Sequence, residues 1–185
     1  MKRKNIKYAK CKCCGLLRDQ SEVLISLSVL KNTDVVRNSD HEYNLFELLI
    51  DSNFKWACDQ CIDDKKALVS NLSQQGRTFS PDLIYDDVNL ICKRCKNEFT
   101  FTKEEKKVWY EQLKFYIKSI PVHCLICRKE IRRFKCQNKI LSEVLKKNPK
   151  DMTTDELWQI VQIYDEWDKK DKFNFYSKLI KERLK

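Results

Sequence analysis

Glycine and proline are scarce in this sequence, two and three respectively in 185 residues. The chain therefore has no Gly-rich loop of the kind that cradles phosphates. Histidine is as rare. His41 and His123 stand far apart, form no H-E-x-x-H motif and offer no acid–base pair, and with Asn44 they do not reproduce the His–Asn–His arrangement of zinc-supported nucleases. No segment approaches the roughly 18 apolar residues of a membrane span. The N-terminal MKRKNIKYAK is basic but lacks the apolar stretch of a signal peptide. These absences lead us to expect a soluble, cytoplasmic protein without catalytic activity, membrane partner or evident small-molecule substrate.

Cysteine, by contrast, is plentiful and patterned. Ten cysteines include four C-x-x-C units, in CKCCG (11–15), CDQC (58–61), CKRC (92–95) and CLIC (124–127). At about 5% of the residues they fall below the density of a disulfide scaffold, and in a reducing compartment such pairs mean metal binding or redox chemistry. Two residues between cysteines let the backbone curl until both sulfurs face one point, and two such pairs supply the four soft ligands of a tetrahedral zinc ion. Pairing neighbours in sequence joins Cys11 and Cys14 to Cys58 and Cys61 across 43 residues, and Cys92 and Cys95 to Cys124 and Cys127 across 28. Two zinc ions per chain are expected, with iron or an iron–sulfur cluster as the other chemistry the ligands allow. Gly15, just after Cys14, suits a turn with positive φ and favours Cys11 over Cys13, although Cys13 could substitute and the pairs could cross. His123 is expected beside its site without ligating, His41 on the surface, and Cys136 in the core.

The segment LICKRCKNEFTFTKEEKKVWYEQLKFYIKSIPVHCLICRKEIRR resembles the probable zinc-ribbon domain family, whose pattern is a C-x-x-C knuckle, a phenylalanine-rich strand ending in F-T, an acidic helix with aromatics and P-x-x-C-x-x-C-R. These features fall on Cys92 and Cys95, Phe99 through Thr102, Glu105, Trp109 and Tyr110, and Pro121 through Arg128. The resemblance covers about a quarter of the chain. It implies a metal-held fold and no particular activity. Lys96 and Asn97 replace the glycine expected after the second cysteine, which implies an altered knuckle costing on the order of 1 kcal/mol. Lys106 replaces the usual glutamine.

The fold class expected is α+β: two small zinc-ribbon or treble-clef-like units with short β-hairpins, then a C-terminal helical region. The boundaries are an N-terminal zinc unit at 8–75, a linker at 76–90 around Gly76 and Pro81, a ribbon unit at 91–136 and helices at 137–185. Ile25, Leu27 and Val29 alternate with serines as in a half-buried strand. NLFELLID (44–51) reads as a short helix or a buried strand. Trp56 reads as core. A helix is expected after Cys61, with Asp63 and Asp64 in its first turn and Ile62, Leu68, Val69 and Leu72 on its apolar face. NEFTFT is a strand, and Thr102 with Glu105 opens a helix to about 117, with Trp109, Leu113, Tyr116 and Ile117 on its apolar stripe. Another helix follows Cys127, with Ile131 and Phe134 inward, and NKILSEVLKKN continues with Ile140, Leu141, Val144 and Leu145. Thr153 and Glu156 make a capping box before Leu157, Ile160, Val161 and Tyr164, and Phe173, Tyr176, Ile180 and Leu184 repeat the spacing, so two helices are expected to form a hairpin.

The formal net charge of +10 falls to about +6 if each zinc carries four thiolates. Residues 91–150 hold 17 Lys and Arg against 6 Asp and Glu, a local +11, whereas 41–90 hold 4 against 9. Arg128, Lys129, Arg132, Arg133 and Lys135 follow Cys127, and with Lys93 and Arg94 they could form a patch for DNA or RNA phosphates. The plain alternative is a solvated helix face. A protein partner, docked on the acidic 41–90 segment and the C-terminal hairpin, is the other class of function.

Overall fold

The computed structural model describes residues 8–38, 43–51, 53–76 and 80–184. The chain forms two compact units, 1–124 and 125–185.

The first unit opens with strands β1 (Ala9–Lys10) and β2 (Leu17–Arg18), paired antiparallel around the CKCCG turn. Helices α1 (Leu24–Lys31), α2 (Asp34–Arg37), α3 (Leu45–Asp51) and α4 (Asp59–Asp63) follow. Strands β3 (Ala67–Val69) and β4 (Ile84–Asp86) then pair, as do β5 (Val88–Ile91) and β6 (Glu98–Phe101). Its larger core gathers Val23, Leu27, Leu30, Phe46, Leu49, Trp56, Leu83 and Ile84 around Cys11, Cys58 and Cys61. A smaller one holds Tyr85, Phe101, Tyr110 and Ile117.

Several expectations give way here. Residues 24–31 are a helix, not a strand, and bury Ser26, Leu27 and Leu30. The Asp59 carboxylate accepts the backbone N–H groups of Leu24 and Ile25 at 2.9 and 3.0 Å, and the Ser26 hydroxyl donates to the Ala57 carbonyl at 2.7 Å. The helix is thus started by groups far away in sequence. Residues 45–51 resolve as helix. After Cys61 the helix stops at Asp63. Lys65 takes φ 56°, and Leu68 and Val69 become strand, so no apolar helix face runs on to Leu72. The expected linker contains β4, with Leu83, Ile84 and Tyr85 fully buried.

Helix α5 (Lys103–Lys107) begins where the Thr102 hydroxyl accepts the Glu105 N–H, but it widens into a π turn over Val108–Gln112 and does not reach 117. The widening turns both Trp109 and Tyr110 inward. Trp109 meets Phe101 edge-on at 5.5 Å, and Tyr110 lies 5.7 Å from Tyr85. Lys114 at φ 56° reverses the chain, and Ser119 folds back to accept from the Trp109 indole and the Tyr110 hydroxyl. Leu113 and Tyr116, expected on an apolar stripe, are therefore exposed.

The second unit holds helices α6 (Leu125–Val144), α7 (Thr154–Glu166) and α8 (Lys170–Arg183). Helix α6 runs unbroken through the expected boundary at 136. Its C-terminal half buries Leu141 and Val144, while Leu145, just past its end, is exposed. Ile131 is half-buried. Phe134 is exposed although its ring meets Trp167 at 4.8 Å. The Thr153–Glu156 capping box is present, and α7 and α8 pack as the expected hairpin through Leu157, Ile160, Val161, Tyr164, Tyr176 and Ile180. Leu184, at the frayed end, is exposed. The Arg183 guanidinium clasps the turn before α7, donating to the carbonyls of Pro149, Lys150 and Met152.

Candidate metal centres

The sulfurs of Cys11, Cys14, Cys58 and Cys61 form one group, and those of Cys92, Cys95, Cys124 and Cys127 a second. In each, all four sulfurs lie within 4.8 Å of one another. The ligand set follows sequence order, with Cys11 in place of Cys13.

Both groups are built from the same two devices. The first is a knuckle inside a hairpin. In one, the Gly15 N–H donates to the Cys11 carbonyl and the Cys11 N–H to the Leu16 carbonyl, both at 2.9 Å. In the other, Lys96 donates to Cys92 at 3.0 Å and Cys92 to Asn97 at 2.9 Å. Gly15 has φ 75° and Lys96 has φ 64°, so lysine occupies the left-handed position that glycine fills in the first knuckle. The second device is a helix start. Cys58 caps α4 and Cys61 lies within it. Cys124 immediately precedes α6, and Cys127 lies in its first turn. The positive end of a helix favours thiolate.

The sulfur geometry fits zinc. Four thiolates at about 2.3 Å from a tetrahedral ion stand roughly 3.8 Å apart. The Cys14–Cys58 and Cys95–Cys124 sulfur pairs are each 3.9 Å apart, far beyond the roughly 2.05 Å of a disulfide. The Cys58 N–H also points at the Cys11 sulfur, 3.2 Å away. Burial works to raise the Cys92 thiol, but backbone N–H groups of Cys95, Cys124 and Arg94 outweigh it and bring it down to about 5. Burial likewise opposes ionisation of Cys14, and the Leu16 backbone and neighbouring thiols bring it to about 7. Burial, then Cys58 and Cys14, push Cys61 up. In the first group, then, one sulfur ionises readily while others resist. A divalent cation removes that conflict by taking all four as thiolates. The two groups fit two zinc ions.

The remaining candidates fall as follows. His123 lies beside the second group, its Nδ1 4.0 Å from the Cys92 sulfur. His41 lies outside the described residues. Cys13 is half-buried next to the first group, and Cys136, expected in the core, is exposed on α6. Lys93 and Arg94 are exposed on the second knuckle. On α6, Lys129, Arg132, Arg133 and Lys135 are exposed and Arg128 is half-buried. Arg133 faces the Glu166 carboxylate at 3.7 Å. Sequence reasoning missed one cluster altogether: Lys55, Asp82, Asp86, Lys106 and Lys118 meet in the first unit through ion pairs. They come from separate stretches of chain, and no local pattern marks them.

A family model described as "Probable treble clef domain" matches residues 86–135. That span opens at the end of β4 and includes the second knuckle, its hairpin and the first turns of α6. The helix start supplying Cys127 agrees with that description. The match covers about a quarter of the chain. No curated protein and no solved structure matches.

Proposed function

We propose that this two-zinc protein is a non-catalytic nucleic-acid-binding regulator or accessory factor, and that its contact is the start of α6. The observation that supports this reading is the exposure of Lys129, Arg132 and Lys135 on a helix whose first turn carries a metal ligand. A helix fixed in this way displays its cations with little loss of ordering entropy on binding. Phosphate contacts of this kind release counterions, so affinity falls steeply with salt. Arg128 and Arg133 contribute less in this reading, the first because it is half-buried and the second because it already faces Glu166. With eight thiolates committed, neither zinc keeps an open position to activate water.

Binding of the zinc-loaded chain to random-sequence DNA and RNA across a salt series tests the reading. Affinity should drop sharply as salt rises, and Lys129→Glu with Arg132→Glu should abolish it. No binding at low salt refutes it and leaves the protein-partner class. One observation favours that second class: Trp158 and Phe175 are about half exposed on α7 and α8. The main apolar stripes of the hairpin, however, are used in its own core.

A further inference from the structure

A cavity of about 440 Å³ in the first unit lies outside both cysteine groups, and its polar lining is Lys12, Lys55, Lys106, Lys118, Asp82 and Asn53. Its volume falls within the roughly 300–1,000 Å³ of small-ligand pockets. The elements that frame it are fixed from several sides. Lys12 sits in the first knuckle, Lys55 bridges to Asp82 through the backbone, and Lys106 lies on α5. Lys106 is almost fully buried. Its ammonium donates to the Asp86 carbonyl at 2.6 Å and to the Asp86 carboxylate at 3.1 Å, and it stands 5.7 Å over the Phe101 ring. Lys55 pairs with that same carboxylate, and Lys118 lies 3.4 Å from Asp82.

The charges do not cancel. Asp86 is shared by two ammonium groups and offsets only one. Asp82 offsets a second, and Lys12 makes no ion pair among the described residues. Four cations against two carboxylates leave two positive charges facing one cleft. Donors are also left over, since each ammonium carries three N–H groups and Lys106 uses two of them here, Lys55 and Lys118 one each. A ligand carboxylate has two oxygens and one charge, too few for this set. A phosphate monoester carries about −1.5 to −2 at neutral pH and three acceptor oxygens. The rest of the lining is mainly apolar, with Phe54, Val88, Tyr110, Ile117 and Ile120, and can cover an organic group.

We propose that this cavity binds a phosphate monoester, its phosphate among Lys12, Lys55, Lys106 and Lys118 and its organic part against Tyr110, Ile117 and Ile120. The same chemistry is offered by a free mononucleotide and by the terminal phosphate of a nucleic-acid strand. The proposal is independent of the contact assigned to α6.

Calorimetry on the zinc-loaded, full-length chain at physiological ionic strength tests it. The probes are adenosine monophosphate, adenosine, inorganic phosphate, and a short single strand with and without its terminal phosphate. Adenosine monophosphate should bind and adenosine should not. Lys118→Gln and Lys12→Gln, both at accessible positions, should each weaken binding about tenfold, the worth of one charge-assisted contact. Asp82→Asn should tighten it, a gain that a misfolded variant cannot mimic. Lys129→Gln with Arg132→Gln on α6 should leave it unchanged, so failure here and failure of the α6 reading are separable. Tighter binding of the phosphorylated strand than of the mononucleotide assigns the site to strand ends, and the reverse assigns it to a free ligand. The proposal is overturned if none of the three phosphate-bearing probes binds at millimolar concentration, if adenosine binds as well as its monophosphate, or if Asp82→Asn leaves affinity unchanged or weaker.

Discussion

Gly15 and Lys96 occupy equivalent places in the two knuckles, closing the same turn at φ 75° and φ 64°. A residue with a Cβ is strained in this region by on the order of 1 kcal/mol. Lys96→Gly should therefore stabilise the second site by about that amount, seen as a higher urea midpoint and slower zinc transfer to a chromophoric chelator. Gly15→Ala should cost the first site a similar amount. The added Cβ would lie 3.6 Å from the Lys10 side chain, an ordinary contact, so the penalty is backbone strain and not a clash. Asp82 and Asp86 offer a second contrast within one cluster. Burial raises Asp86, but Lys55 and then Lys106 outweigh it and hold its carboxyl below the usual range. Its folded value lies below its unfolded one, so its stabilisation is complete above the ordinary carboxylate pKa and is lost as pH falls through the folded value. Asp82 has the opposite sign: burial raises it despite Lys118 and Lys55. Its charged form is disfavoured in the fold, so stability falls as pH rises from the ordinary carboxylate value through the raised folded one, and the full cost persists above it. At neutral pH Asp86→Asn should cost about 3 kcal/mol, the range for breaking a buried pair. Asp82→Asn should change stability by about 1 kcal/mol or less. Urea unfolding at fixed zinc measures both.

Helix α1 shows how far an element can depend on residues outside it. Its first two N–H groups are accepted by Asp59, which belongs to α4 between two metal ligands. Asp59→Ala should remove this cap and cost about 1–2 kcal/mol, read as a loss of helical circular dichroism and a lower urea midpoint. Asp59→Asn, which keeps an acceptor oxygen, should recover part of it. This dependence explains what was legible in the sequence. Elements whose causes are local were readable: the four C-x-x-C units, the turn at Gly15, the Thr153 capping box and the stripe of α7. Elements set by distant groups were not. The serines and aliphatics of 24–31 alternate, yet Asp59 and Ala57 fix them as helix. Residues 80–86 read as linker because Pro81 and nearby polar residues dominate locally, while pairing of β4 with β3 buries Leu83 to Tyr85. The π turn after Lys107 is decided by where Phe101, Tyr85 and Ser119 receive Trp109 and Tyr110. Of the candidate sites, the metal ligands were legible because their spacing is local. The lysine–aspartate cleft was not, because its members converge only in three dimensions.

On the scale of the chain, metal and core are related differently in the two units. In the first unit Cys11, Cys58 and Cys61 are themselves members of the larger core, in contact with the aliphatic and aromatic residues around them. In the second unit the core of Leu141, Met152, Leu157, Ile160, Tyr164, Tyr176 and Ile180 contains no cysteine. Structural zinc contributes about 10–16 kcal/mol of apparent binding free energy in small zinc-finger peptides, as much as the whole stability of a typical domain, roughly 5–15 kcal/mol. Loss of the first metal also leaves four clustered thiols, three of them buried, to mutual repulsion on ionisation. The first unit should therefore fail as a whole when zinc is stripped, while the α7–α8 hairpin keeps its packing. Hydrogen exchange read by mass spectrometry, before and after treatment with a strong chelator under reducing conditions, distinguishes the two. Two zinc ions per chain should be present at the start. After their removal, amides of β1, β2 and α4 and of the α1 turn capped by Asp59 should exchange without protection, whereas those of Leu157 to Tyr164 and of Tyr176 to Ile180 should keep most of theirs. Equal loss in both units would mean that the helical hairpin also depends on metal, and equal retention would mean that the first core stands without it.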